Sequence, residues 1–312
     1  MTERAMRVLL ASDDSIPARA AEAWVTNARW AQPPQVSILS IAAPTIAAAA
    51  WLNHLGREGL RHAIQGFDQV EETQARHLAA EVAERMSGAG LEATSRARRG
   101  EVALEILKEI REARPDLVAL GPRGRSDFTA ALLGSVTQQV LSHSGVPVLV
   151  ARSERVPSGR LPQVLVLLAD GTLSIMDAID WLGRAGWLRD TRAIVAGLLG
   201  VSPGLKMPQS DLADDITAEL RLAAKDVLYS LSELIRPYTR DVMVELHFGH
   251  PLQTAREVGD RHLADLLVVA RRPPQHGDYP FADKVARYSS TSVLLVPARA
   301  APATMPAPDG ER

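Results

Sequence analysis

The sequence predicts an α/β protein built from two tandem parallel sheets with crossover helices. Three observations carry that prediction. Short β-branched or leucine-rich runs alternate with longer segments of helical periodicity. The alternation occurs twice, in the same order. At 312 residues the chain is long enough for two domains with a core each.

The first strand is RVLLAS (Arg7 to Ser12), followed by a helix near Ile16 to Ala31. QVSILSI (Gln35 to Ile41) is the second strand. The segment after it, Thr45 to Phe67, has too little Gly and polar content for a lid and is read as an extra packing helix. Asp68 to Ser87 is a helix because Val70, Ala75, Leu78, Ala79, Val82 and Met86 fall on one face, with charged residues opposite. LEATSRA (Leu91 to Ala97), a helix at Val102 to Ala113 and DLVAL (Asp116 to Leu120) come next. A helix near Phe128 to His143 and the strand VPVLVA (Val146 to Ala151) complete the first unit.

The second half repeats that order. QVLVLLADGT aligns with MRVLLASDDS, which puts Asp170 where Asp13 stands. RAIVAGLLG, the helical ADDITAELRLAAKDVLYSLSELI, DVMVELHFGHP, DLLVVARR and SVLLVP supply the remaining counterparts. The predicted units are 1–152 and 163–298. Between them lies a Ser-, Pro-, Gly- and charge-containing linker at 153–162. The Ala- and Pro-rich tail at 299–312 reads as disordered.

Composition narrows the function. A formal charge of −2 gives no reason to expect a nucleic-acid partner. The absence of cysteine removes disulfides, thiolate metal sites and cysteine nucleophiles, and fits a reducing cytoplasm. The charged start MTERAMRVLLASDD does not resemble a signal peptide, and no long uncharged apolar run suggests a membrane span. The expectation is a soluble cytoplasmic protein.

The chemistry concentrates in GPRGRSDFTAALLGS, Gly121 to Ser135, directly after the fourth strand. One reading is a plain strand-to-helix turn, with Gly121 and Gly124 supplying positive φ angles. The other is a phosphate cradle. Residues without a Cβ let backbone N–H groups approach phosphate oxygens, and a helix N-terminus adds favourable dipole charge. Ser135 then contributes a hydroxyl, and Arg123 or Arg125 contributes positive charge. If the first and fourth strands are neighbours where strand order reverses, Asp13 faces this loop across a crevice. The spacing fits neither a Walker loop nor the dinucleotide fingerprint, so both readings stand on glycine chemistry alone.

Gly121-Pro122-Arg123-Gly124, nine further residues, then Gly134-Ser135 resembles the G-x2-G-x9-G-[ST] motif of the ATP-binding branch of the universal stress protein family. The first strand ending in aspartate and the late SGVPVLVAR support the resemblance, which extends over both halves apart from the tail. It implies a Rossmann-like open five-stranded parallel sheet in each half, ordered 3-2-1-4-5, with helices on both faces, as in the adenine nucleotide alpha hydrolase-like folds. It also implies that Ala11, Ser12 and Asp13 lie near adenine and ribose, with Ile41 beside the base. Gly121, Gly124, Gly134, Ser135 and Val136 would surround ribose and phosphates, with Arg123 adding charge. The implied ligand is ATP with Mg²⁺, and the implied role is a nucleotide-responsive stress regulator acting on a protein partner.

The second half departs from the motif. Tyr279 and Pro280 stand where Gly134 and Ser135 stand in the first, and proline has no N–H to donate. One nucleotide site per chain is expected. Fifth strands are exposed edges that need protection, so the two halves can pair with each other as a pseudo-dimer, or the chain can form a homodimer.

Other features carry bland readings. His247 and His250 have an H-x-x-H spacing but fall at a strand end, where an odd separation sends side chains to opposite faces. His54, His62 and His77 lie on helical segments without partner carboxylates at ligand spacing, and His143 ends a helix. No metal-ligand set and no G-x-S-x-G elbow is present. Arg96, Arg98 and Arg99 read as a solvated face, and Trp24, Trp30 and Trp51 as packing residues. No residue looks like a general base poised to activate water, so catalytic residues are not assigned. The rivals are a slow ATP hydrolase or self-phosphorylating enzyme, for which only Asp127 is near in sequence, and a nucleotide-free interaction module.

Overall fold

The computed structural model describes residues 4–43, 58–124, 133–152, 162–169, 174–200, 211–271 and 281–298. In the first half these are β1 (Arg7–Ala11), α1 (Ile16–Asn27), β2 (Gln35–Ala42), α2 (Glu58–Gly88), β3 (Glu92–Arg99), α3 (Val102–Ala113), β4 (Leu117–Leu120), α4 (Ser135–His143) and β5 (Val148–Val150). The second half follows with β6 (Val164–Ala169), α5 (Ile175–Ala185), β7 (Arg192–Gly200), α6 (Asp211–Ile235), β8 (Asp241–Gly249), α7 (Pro251–Arg261), β9 (Leu266–Arg271), α8 (Phe281–Tyr288) and β10 (Ser292–Pro297).

The strands form one sheet of ten, ordered β3-β2-β1-β4-β5-β10-β9-β6-β7-β8. Each half therefore has the 3-2-1-4-5 order, and its internal pairings are parallel. The two expected five-stranded sheets join at the centre, where β5 and β10 pair antiparallel, Leu149 opposite Leu294, one of the two outcomes expected for the fifth-strand edges. Each fifth strand is the other's neighbour, which satisfies the backbone groups that a free edge would expose.

Strand side chains alternate between two faces, and both faces are covered. On one, Val8, Leu10 and Ile38 pack with Trp24, Val82, Met86, Trp181, Leu182 and Leu231. On the other, Leu9 and Val118 pack with Ile106, Ile110, Val140, Leu141, Val258 and Val285. Both cores run through the two halves without interruption. Trp187 meets Trp24, Trp30 and Trp181 at centroid distances of 5.8, 5.3 and 5.1 Å, so two of the three tryptophans read as packing residues cement the seam. Trp24 Nε1 also donates to Ser292 Oγ at 3.0 Å, joining α1 to β10.

The first helix ends at Asn27 rather than Ala31, and two helix starts differ from the sequence reading. The helix expected from Asp68 starts at Glu58, so part of Thr45 to Phe67 continues it, and 44–57 lies outside the described residues. The helix expected from Phe128 starts at Ser135, because Gly134 is extended (φ −68°, ψ 157°) and serves as its N-cap. Arg125, Asp127, Trp51, His54, Asp170, Tyr279, Pro280, nearly all of the linker and the tail also lie outside the described residues.

Candidate functional site

The first half's strand order reverses between β1 and β4, and at their carboxyl ends lies a cavity of about 300 Å³, a place where open α/β sheets hold ligands. Its walls are built by short local devices. Asp13 Oδ1 accepts from Ser15 N at 3.1 Å, and Ser15 Oγ accepts from Ala18 N at 3.3 Å as the N-cap of α1. This Asx turn starts the helix and leaves Asp13 Oδ2 turned toward Gly124. Asp14 takes a left-handed φ of 58°, which an aspartate tolerates better than most residues. The hydrogen bond from Arg19 holds its carboxyl below the usual aspartate range, with the Arg85 charge adding to the effect and burial opposing it.

The opposite wall is the start and end of the glycine loop. Gly134 N donates to Pro122 O at 2.8 Å, and Thr137 Oγ1 donates to Gly121 O at 2.9 Å within the core. These two bonds dock the first turn of α4 against the end of β4, with 125–132 outside the described residues. The φ angles correct the plain-turn reading. Neither Gly121 nor Gly124 has a positive φ; the described glycines that do are Gly90, Gly100, Gly186 and Gly249. Space is what requires glycine at Gly121. A Cβ on Gly121 would lie 2.7 Å from the backbone carbon and Cβ of Pro17, and one on Gly124 would lie 2.8 Å from Asp13 Oδ2.

All ten residues named as site candidates line this one cavity: Ala11, Ser12, Asp13 and Ile41 from β1 and β2, and Gly121, Arg123, Gly124, Gly134, Ser135 and Val136 from the loop. The residues that sequence reasoning missed are Leu39, Ala43, Glu71, Val102, Ile106 and Thr137, among others. Glu71 is an exposed carboxylate on α2, and nothing in its helical periodicity separates it from its neighbours. Thr137 was legible in principle, as a hydroxyl two residues after Ser135. The cavity thus presents a carboxylate wall, an arginine, apolar side chains from β2 and α3, and a helix N-terminus. That set suits a ligand with an apolar ring at one end and negative charge at the other.

Among its described residues, the second half does not repeat the glycine positions. Strand registers place Ala270 where Gly121 stands and Arg271 where Pro122 stands. β9 therefore continues where β4 opens into the loop.

The remaining sequence candidates sit elsewhere. Arg98 is not a solvated cation: its Nε donates to the buried Glu109 at 2.8 Å, and it also pairs with Glu105 and Glu112. Arg96 lies 3.4 Å from Glu109, and Arg99 pairs with Asp68. His247 Nε2 lies 2.8 Å from Glu245, whose other oxygen lies 2.7 Å from His262 Nε2. His262 arrives from the end of α7, a non-local partner that the H-x-x-H spacing gave no hint of. Among the described residues no group of three or more His, Cys, Asp or Glu side chains is arranged to hold a metal ion. No described helix is long and apolar enough to cross a membrane.

The fold and cavity together define a doubly wound α/β module with a pocket at its switch point. Residues 5–152, the first half of the chain, match the family model of the universal stress protein family. Among solved structures, a universal stress protein from Archaeoglobus fulgidus DSM 4304 is similar over 93% of this chain and 98% of its own, with a TM-score of 0.62 and 19% identity. A functionally unknown protein from Pseudomonas aeruginosa PAO1 is similar over 95% of this chain and 94% of its own, with a TM-score of 0.59 and 12% identity. At these identities the likeness is one of fold, and it extends through both halves. No curated protein shows significant sequence similarity to this chain.

Proposed function

We propose that the first half binds ATP with Mg²⁺ in the β1/β4 cavity and that the chain is a cytoplasmic, nucleotide-responsive stress regulator with one site per molecule. The observation that carries this reading is the meeting of the Asp13 carboxylate with Gly124, in a loop whose Gly121 is required by close approach rather than by backbone conformation. Ser12, Asp13 and Ile41 would receive adenosine, and the amides of Gly134, Ser135 and Val136 with Arg123 would receive the phosphates. Mg²⁺ favours one or two carboxylates alongside phosphate oxygens, and Asp13 and Glu71 both line the cavity. Binding would order the loop between Gly121 and Ser135 and shift the surface that a protein partner reads.

Calorimetric titration of the full chain with ATP and Mg²⁺ tests the reading. Wild type should bind at one site. Gly124→Asp, which puts a second carboxylate against Asp13, should abolish binding. Ser135→Ala should cost about 1.5–3 kcal/mol, the worth of a hydrogen bond to a charged group. No heat and no thermal shift at millimolar ATP would sink the reading in favour of a nucleotide-free interaction module.

A further inference from the structure

Helix α4 is held at both ends, and the groups that hold them come from different halves of the molecule. Its N-terminal residues line the cavity. At its C-terminal end the side chain of Arg271, the last residue of β9, crosses the seam. Arg271 Nη2 donates to Ser142 O at 2.9 Å, and Nη1 donates to Ser144 O at 3.5 Å. Arg271 Nε lies 3.2 Å from Asp283 Oδ1 on α8, with both side chains about nine-tenths buried. A cation against the last carbonyls of a helix opposes the negative end of its dipole as well as hydrogen-bonding it.

This clasp runs in one direction. Ser144 and Ser289 make the same turn, each hydroxyl donating to the carbonyl two residues on. Counting back from them puts Gln138 of α4 where Asp283 stands in α8. Pro122 stands where Arg271 does. The half that keeps the glycine loop therefore has neither member of the pair, and the half that has lost the loop carries both. Burial pushes the Asp283 carboxyl above the usual aspartate range against the pull of Arg271. A buried pair of this kind is weak support for stability by itself, and its geometry points elsewhere.

We infer that Arg271 and Asp283 are positioning residues for the cavity of the first half. By fixing the C-terminal end of α4, they set where its N-terminal amides stand. The inference rests on the nucleotide reading above. A nine-residue helix is short and stiff, so slack at one end becomes displacement at the other. The clasp thus acts on the phosphate end of the ligand. The adenosine end, built on β1 and β2, is independent of it.

That division gives the test. The full chain is titrated with ATP and Mg²⁺, and separately with adenosine, for wild type, Arg271→Met, Asp283→Asn and Arg271→Lys. Arg271→Met should weaken ATP about three- to ten-fold and leave adenosine affinity unchanged. Asp283→Asn, which releases the guanidinium, should follow it in direction. Arg271→Lys keeps the charge and one donor, is the variant to use if the methionine form does not fold, and should fall between. ATP affinity at the wild-type level in a folded Arg271 variant would overturn the inference, as would equal losses for ATP and adenosine. Wild type binding neither ligand would instead overturn the nucleotide reading, and the positioning role with it.

Discussion

Replacing Gly121 with alanine tests the close approach at the heart of the site. The added Cβ would stand 2.7 Å from the backbone carbon and the Cβ of Pro17, and 2.8 Å from its carbonyl oxygen. Pro17 lies in the first turn of α1 with its φ fixed by the ring, so no side-chain rotation can relieve the contact. Either α1 or the end of β4 must move, and β4 is buried along its whole length. Overpacking of this kind costs about 1–3 kcal/mol. The internal control is Gly145→Ala, where nothing lies within 4 Å and φ is not positive. That change should be neutral or stabilising by up to about 1 kcal/mol through the unfolded chain. Urea unfolding followed by far-UV circular dichroism reads both: Gly121→Ala should lower the midpoint at unchanged m, and Gly145→Ala should not. A Gly121→Ala midpoint equal to that of Gly145→Ala would refute the claim that this glycine is required by space.

Gly124→Ala is expected to behave differently, since its Cβ would meet only the Asp13 carboxylate tip. It should change stability by no more than about 0.5 kcal/mol while weakening ATP in the calorimeter. Ser292→Ala removes the acceptor for both Trp24 Nε1 and Arg152 N, each at 3.0 Å in a buried setting. Two orphaned donors should cost about 2–4 kcal/mol, visible as a lower melting temperature. Glu245 is pushed up by burial, but its hydrogen bonds with His247 and His262, and their charges, outweigh this and hold it below the usual glutamate range. Its contribution is therefore present above the unfolded value of about 4.3 and lost as pH falls through the lowered folded value. Compared with Glu245→Gln, wild type should be more stable at neutral pH, and the gap should close only on the acid side of that window. A gap that stayed constant from neutrality to acid would contradict the assignment.

The sequence made the architecture legible where signals were local. Leucine- and valine-rich runs marked the buried strands, and their repetition marked the two halves. The alignment of Asp13 with the Gly121 loop followed from strand order. What escaped depended on contacts distant in sequence. Nothing in VLV at Val148–Val150 or in SVLLVP tells which edge each strand meets, so pairing between the halves and pairing between two chains both stood open. Positive φ at Gly121 and Gly124 was one of two readings, because that is glycine's commonest use in a loop. The groups they in fact meet are Pro17 and Asp13, more than a hundred residues away in the chain. Glu71 and the Glu245 pairs escaped for the same reason, since a helix face or a strand end carries no mark of what another element brings to it.

The antiparallel joint of β5 and β10 has a consequence for how the molecule behaves on dilution. Two separate chains meeting along such a strand would come apart as their concentration fell. Here the two partners are covalently tied, so each meets the other at an effective concentration fixed by the tether rather than by abundance. The unfolding midpoint should therefore not move with protein concentration. A cell could hold very few copies and every one would remain a complete pair. That permanence leaves one half free to give up its own glycine loop while still bracing the helix on which its twin depends.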